Sequence, residues 1–121
     1  MKYGLIFDDN RQTAEALKAS LKIWEISARI VLKPDKSMAI LLENSPDIIF
    51  LDVNMPGING FEILAKIKSE PSLKGIPVIF VTTDDQPETA KRAMQGGAQE
   101  LIIKPVMPEL LSAALRRASL L

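Results

Sequence analysis

An α/β fold is predicted: five βα units that form a single doubly wound domain, with a central five-stranded parallel sheet and helices on both of its faces. Three observations predict it. Strand-like and helix-like segments alternate from one end of the 121-residue chain to the other, the pattern of a parallel sheet covered by crossover helices. Residues 48–51 and 78–81 are unbroken apolar runs, as strands buried on both faces require. Polar residues collect where strand-like runs end, at Asp8, Asp9, Asp52, Thr82 and Lys104, and ligands of open α/β sheets bind beyond the carboxyl ends of the strands.

Each element has its own justification. Residues 3–7, Tyr-Gly-Leu-Ile-Phe, form the first strand. Residues 11–24 form a helix, with Ala14, Leu17, Leu21 and Trp24 in one stripe at helical spacing and Asn10 as its N-cap. Residues 28–32 are a short second strand rich in β-branched side chains. Residues 35–43 carry Met38, Ala39, Leu41 and Leu42 as a weaker second helix, which Asn44-Ser45-Pro46 breaks. After the third strand, 48–51, the segment 54–60 holds Pro56, Gly57 and Gly60 and is a loop. Residues 61–68 are the third helix and 78–81 the fourth strand. Pro87 opens the fourth helix and Gly96-Gly97 closes it. Residues 101–103 are the fifth strand, and Pro108 opens a last helix whose Leu110, Leu111, Ala114, Leu115 and Ala118 face inward. Met94 is read as core.

Composition removes several function classes. Apolar residues make up 47% of the chain, too many for a disordered protein. Lys+Arg and Asp+Glu are each 15, so the basic footprint of a nucleic-acid surface is missing; Arg116-Arg117 is read as a solvated helix face. With no cysteine and no histidine, disulfides, thiolate chemistry, His-based metal sites and Ser-His-Asp triads all drop out. No apolar stretch approaches bilayer length, and Met-Lys-Tyr runs straight into a strand pattern without a signal-peptide core. A cytoplasmic protein without membrane contact is expected.

Three carboxylates brought to one sheet edge repel one another and resist full ionisation. A dication relieves that repulsion, and an all-oxygen site suits Mg²⁺. Thr82 and Lys104 add a hydroxyl and an ammonium at the same edge, a set of groups suited to a phosphoryl group.

At these residues the chain resembles the receiver domain of bacterial two-component response regulators, the CheY-like superfamily. The resemblance spans residues 2–121. It rests on Asp-Asp at 8–9, Leu-Asp-Val-Asn-Met-Pro-Gly-Ile-Asn-Gly at 51–60, Val-Thr-Thr at 81–83 and Lys-Pro at 104–105. It implies a flavodoxin-like sheet of order 2-1-3-4-5 and one receiver domain over residues 1–121. It implies Asp52 as phosphoacceptor, and Mg²⁺ bound by Asp8, Asp9, Asp52 and the backbone carbonyl of Asn54. Thr82 and Lys104 would each contact a phosphoryl oxygen, with Lys104-Pro105 as a cis bond. The implied donor is a sensor histidine kinase or histidine phosphotransferase. The implied readout is a downstream protein at the face of helix four, strand five and helix five. Such a domain is a signalling module that catalyses its own phosphorylation and dephosphorylation, not an enzyme acting on an outside substrate.

Two positions depart from the family pattern. Leu101 stands three residues before the lysine, where the family has an aromatic side chain that swings inward, and Thr83 follows the switch threonine where a small residue is usual. Asn54 and Asp84, each two residues beyond a site residue, resemble members with faster phosphoryl turnover. Two other functions compete. A small Mg²⁺-dependent phosphatase with an aspartyl-phosphate intermediate usually carries Asp-x-Asp after its first strand, whereas here the acids are adjacent. A receiver-like binding module that has lost switching would lack one of the site residues, and all are present.

Overall fold

The computed structural model describes residues 2–121. Five strands make one parallel sheet: β1 (Lys2–Phe7), β2 (Ile26–Val31), β3 (Ile48–Leu51), β4 (Val78–Thr82) and β5 (Glu100–Ile103). Their spatial order is β2-β1-β3-β4-β5, as expected for the flavodoxin-like arrangement. The helices are α1 (Arg11–Leu21), α2 (Ser37–Asn44), α3 (Gly60–Ser69), α4 (Pro87–Gln95) and α5 (Pro108–Arg117).

The period-two alternation of strand side chains splits the core into two layers. Leu5, Phe7, Ile49, Leu51, Val78 and Phe80 point to one face, where Leu41, Ile63, Leu64, Ile67 and Ala93 of α2, α3 and α4 cover them. Ile6, Ile48, Phe50, Ile79 and Val81 point to the other, under Ala14, Leu17 and Leu21 of α1 and Leu111, Ala114 and Leu115 of α5. Phe7, Phe50 and Phe80 are the largest fully buried side chains. Truncating one of them to Ala costs about 3–5 kcal/mol in lost transfer energy and residual cavity. Among the described residues, no helix is long and apolar enough to cross a membrane.

Most element boundaries fall within a residue or two of expectation, and the larger differences have local causes. The first α-helix stops at Leu21; Lys22–Trp24 tighten into a 3₁₀ turn and Glu25 takes a left-handed φ of 60°. That turn lets β2 begin at Ile26, two residues earlier than predicted, because Ile26 has Lys2 as a ladder partner. Trp24 packs half-buried against the α1/α5 layer from this turn, not from the helix stripe. A 3₁₀ turn, Pro34–Lys36, also precedes α2. The loop after β3 contains a two-stranded antiparallel ribbon, Asn54–Met55 with Ile58–Asn59. Pro56-Gly57 turns it, Gly57 taking φ +81°.

Two side chains read as inward are not. Leu110 is 52% exposed and Met94 is 53% exposed. On α5 the buried stripe is Leu111, Ala114 and Leu115, and an α-helix cannot turn Leu110 to the same side as Leu111, 100° away. On α4 only Ala93 is buried. Arg116 and Arg117 are exposed as expected, and Arg117 is ion-paired with Glu100 of β5.

Candidate functional site

The residues of interest sit one step past the strands, and the sheet ladder still holds their backbones. The N–H of Asp8 donates to Val31 O of β2 (3.2 Å), that of Asp52 to Phe7 O of β1 (3.0 Å), and that of Lys104 to Thr82 O of β4 (2.8 Å). Thr82 is itself the last residue of β4. Each side chain therefore starts from backbone fixed by the sheet, and those of Asp8, Asp52 and Lys104 meet beyond its carboxyl edge. The chain leaves Asp52 and turns into α3 so tightly that a Cβ on Gly60 would stand 2.3 Å from Asp52 O. Only glycine fits there, and the N–H of Gly60 closes the turn on Val53 O at 2.7 Å.

At the centre lies the Lys104 ammonium. Its Nζ is 2.9 Å from Asp8 Oδ2 and 3.2 Å from Asp52 Oδ2, with all three side chains nearly closed off from solvent. Asp9 completes the acidic group: carboxylate oxygens of Asp8, Asp9 and Asp52 lie within 4.8 Å of one another. Asp8 and Asp52 are buried and Asp9 is exposed, so the cluster opens to water on Asp9's side. Asn54 stands beside it, its N–H donating to Asp52 Oδ1 at 3.4 Å. Lys104-Pro105 is cis, as expected.

The electrostatics follow from burial. Desolvation pushes the Asp52 carboxyl above its ordinary value, the Lys104 charge and hydrogen bond oppose it, and the Asp8 charge adds to it. Burial alone would pull the Lys104 ammonium down, but its hydrogen bond to Asp8 and the charges of Asp52 and Asp8 hold it above its ordinary value. One ammonium thus serves two buried carboxylates while a third acid stands in solvent. The donor set fits a hard divalent cation: oxygen ligands only, grouped carboxylates, and an open side that leaves room for the waters Mg²⁺ retains.

Thr82 is buried, and its hydroxyl oxygen accepts the N–H of Asp84 at 3.2 Å. Asp84 is in turn engaged on both oxygens, by the N–H of Gln86 (3.0 Å) and the hydroxyl of Thr89 (2.7 Å). Leu101, at the position where the resemblance implies an aromatic side chain, is half-buried and packs into the layer beneath α4. On that face the aromatic contact is Phe61 against Phe80, ring centroids 5.2 Å apart, with the Arg92 guanidinium 4.2 Å from the Phe61 centroid. Thr83 is exposed.

Sequence reasoning missed Thr13, whose hydroxyl lies 3.2 Å from Asp8 Oδ2. A signal was there: Asp-Asp-Asn-Arg-Gln-Thr at 8–13 and Asp-Asp-Gln-Pro-Glu-Thr at 84–89 share their spacing, and each spans a turn from a strand into a helix.

Comparison with known proteins agrees with this geometry. The family model described as response regulator receiver domain matches residues 5–116. Protein RcaC of Microchaete diplosiphon is 34% identical over 114 residues, which cover 93% of this chain and 18% of RcaC. The chain thus spans less than a fifth of that relative's length. Protein PilH of Pseudomonas aeruginosa is 34% identical over 110 residues, 88% of either chain. The chemotaxis response regulator CheY4 of Vibrio cholerae superposes with a TM-score of 0.87 at 26% identity, covering 98% of both chains. The matched segment runs through all the polar strand ends described above, and the chain belongs to the response regulator receiver domain family of two-component signalling.

Proposed function

We propose that residues 1–121 act in the cytoplasm as one receiver domain whose Asp52 accepts a phosphoryl group from a histidine kinase or histidine phosphotransferase with Mg²⁺ bound. The observation that carries this is the Lys104 ammonium seated between Asp8 and Asp52 at 2.9 and 3.2 Å, with Asp9 alongside. Phosphoryl transfer leaves little covalent work to a protein and depends on position and charge neutralisation. A carboxylate oxygen of Asp52 attacks phosphorus; the O–P bond forms as the N–P bond of the phosphoimidazole breaks, and the departing imidazole keeps the electron pair and takes up a proton. Lys104, already at hydrogen-bond distance from Asp52, neutralises the incoming phosphoryl charge. Thr82 accepts the Asp84 N–H, so its own proton is free to donate to a phosphoryl oxygen. Asp8, Asp9, Asp52 and the Asn54 carbonyl would hold the Mg²⁺, which supplies the positive charge that one lysine cannot provide to three acids. Attack of water on the same phosphorus returns Asp52 to the free carboxylate.

Phosphorylation then biases a two-state equilibrium that a partner reads at α4, β5 and α5. Large apolar side chains stand exposed on all three elements or directly between them: Met94, Ile103 (37%), Met107 (50%) and Leu110. With Leu101 at the aromatic position, output runs through shifts of α4 and β5.

Intact mass after incubation with acetyl phosphate and Mg²⁺ tests the chemistry. Wild type gains one phosphoryl group, chelator prevents it, and Asp52→Asn gains none. A wild type that stays unlabelled under conditions that label another receiver, or labelling that persists in Asp52→Asn, overturns the assignment.

A further inference from the structure

We infer that Thr13 is a positioning residue for the cation site: its hydroxyl fixes the Asp8 carboxylate so that Asp8 presents one oxygen to Lys104 and the other to the metal. The inference rests on the phosphoryl-transfer reading above and extends it to a residue outside the acidic cluster.

The argument starts from the donors around Asp8, which is 4% exposed. A carboxylate offers about two lone-pair positions per oxygen. Oδ2 receives Lys104 Nζ at 2.9 Å and the Thr13 hydroxyl at 3.2 Å, so it is full. Oδ1 receives the N–H of Asn10 at 2.9 Å, which leaves it one position. Asp8 therefore meets a cation through Oδ1, and what keeps Oδ2 turned inward is Lys104 together with Thr13. Lys104 is shared with Asp52, so its hold on Asp8 weakens once a phosphoryl group draws it away. Thr13 has no such competing duty at Asp52.

Thr13 is itself held firmly. It lies in the first turn of α1, and its N–H donates to the N-cap side chain, Asn10 Oδ1, at 3.2 Å. Its hydroxyl also lies 3.1 Å from Asn10 O. One proton faces two acceptors, and the anionic one takes it while Asp8 is charged. Asp8, Thr13 and Lys104 border one cavity of about 140 Å³. Outer-shell hydrogen bonds of this kind typically carry about 10–100-fold in metal affinity.

The molecule supplies its own control. Thr89 makes the same bond to Asp84 at the start of α4, outside the acidic cluster. Mg²⁺ affinity measured by calorimetry on wild type, Thr13→Val, Thr13→Ser and Thr89→Val tests the inference. Thr13→Val is expected to weaken Mg²⁺ about tenfold, Thr13→Ser to restore it, and Thr89→Val to match wild type. Thr13→Ala supplies the same comparison if the valine methyl prevents folding. A Thr13→Val or Thr13→Ala protein that binds Mg²⁺ like wild type overturns the inference, as does failure of serine to restore affinity. A wild type that binds no Mg²⁺ sinks the phosphoryl-transfer reading itself and this inference with it, so the two failures are distinguishable.

Discussion

At the turn from β1 into α1, Asp8 accepts the N–H of Asn10 on one oxygen and the Thr13 hydroxyl on the other. At the turn from β4 into α4, Asp84 does the same with Gln86 and Thr89. In both, the acid stands two residues before the N-cap and the threonine three residues after it. The difference is register against the sheet: Phe7 pairs with Leu51 and Leu51 with Phe80, so Asp8 stands one step past that row and Asp84 four. Asp8 directly follows Phe7, the last residue of β1, so it is buried and within reach of Lys104. At the β4 corner the inner position belongs to Thr82, and Asp84 follows two residues past the strand, outside the acidic cluster. The same local wiring sets an acid into the carboxylate cluster in one place and makes a helix-start clamp in the other. Distance from the strand end decides which.

The largest effect expected from this comparison separates the two acids. On the proposed role of Asp8 in holding Mg²⁺, Asp8→Asn should slow labelling by acetyl phosphate about 100-fold, the upper end of what supporting contacts alone carry. Asp84→Asn should leave the rate of labelling close to that of wild type, since Asp84 lies outside the acidic cluster. Time courses by intact mass would read both. Comparable losses in the two variants would break the distinction between the corners.

Next comes stability around Lys104. Lys104→Met strips the counter-charge from two buried carboxylates, and breaking a buried pair by removing one partner costs about 3–5 kcal/mol. The cost depends on pH in a definite direction. An acid whose folded pKa is raised costs nothing below its unfolded value and its full amount above its folded value. The Lys104→Met deficit should therefore deepen as pH rises through the carboxylate range, and urea denaturation on either side of that range would show it. Asp52, whose carboxyl is already raised by burial, gives the mirror experiment. Asp52→Asn should unfold at a higher Tm than wild type at neutral pH without Mg²⁺, with the gap closing in acid. An Asp52→Asn protein less stable than wild type at neutral pH would mean that Lys104 more than offsets the burial of Asp52.

The contrast between the corners also explains what was legible in the sequence. Strands β3 and β4 announce themselves as continuous apolar runs because both faces are buried, and the residues one step past each strand could be named because the fold class fixes where that edge lies. Asp8, Asp52 and Lys104 were found this way. Their pairing was not: nothing in residue spacing says that Lys104 lies closer to Asp8 than to Asp52. Thr13 was hidden because a threonine in a helix's first turn looks like an ordinary helix residue until the preceding loop places an anion over it. Met94 and Leu110 misled in the opposite sense. Apolar character alone does not distinguish a core side chain from an exposed one, and only the stripe fixed by Ala93, Leu111 and Ala114 does.

The smallest expected effect sharpens the comparison most, because it isolates the clamp from the site. Gln86, the N-cap of α4, makes no side-chain cap bond, so Asp84 and Thr89 stand in for it. The Gln86 N–H and the Thr89 hydroxyl hold the Asp84 carboxyl below its ordinary value. For such a group the stabilisation is present above the unfolded pKa and is lost as pH falls through the folded one. Thr89→Val should therefore lower Tm by a few degrees at neutral pH and by nothing measurable in strong acid. Amide exchange should quicken in the first turn of α4 while α1 keeps its protection. Equal loosening of α1 would show that the two corners are mechanically joined across the sheet. A change confined to α4 would leave Thr82, whose hydroxyl oxygen holds the Asp84 N–H, as the link from the acidic cluster to this helix.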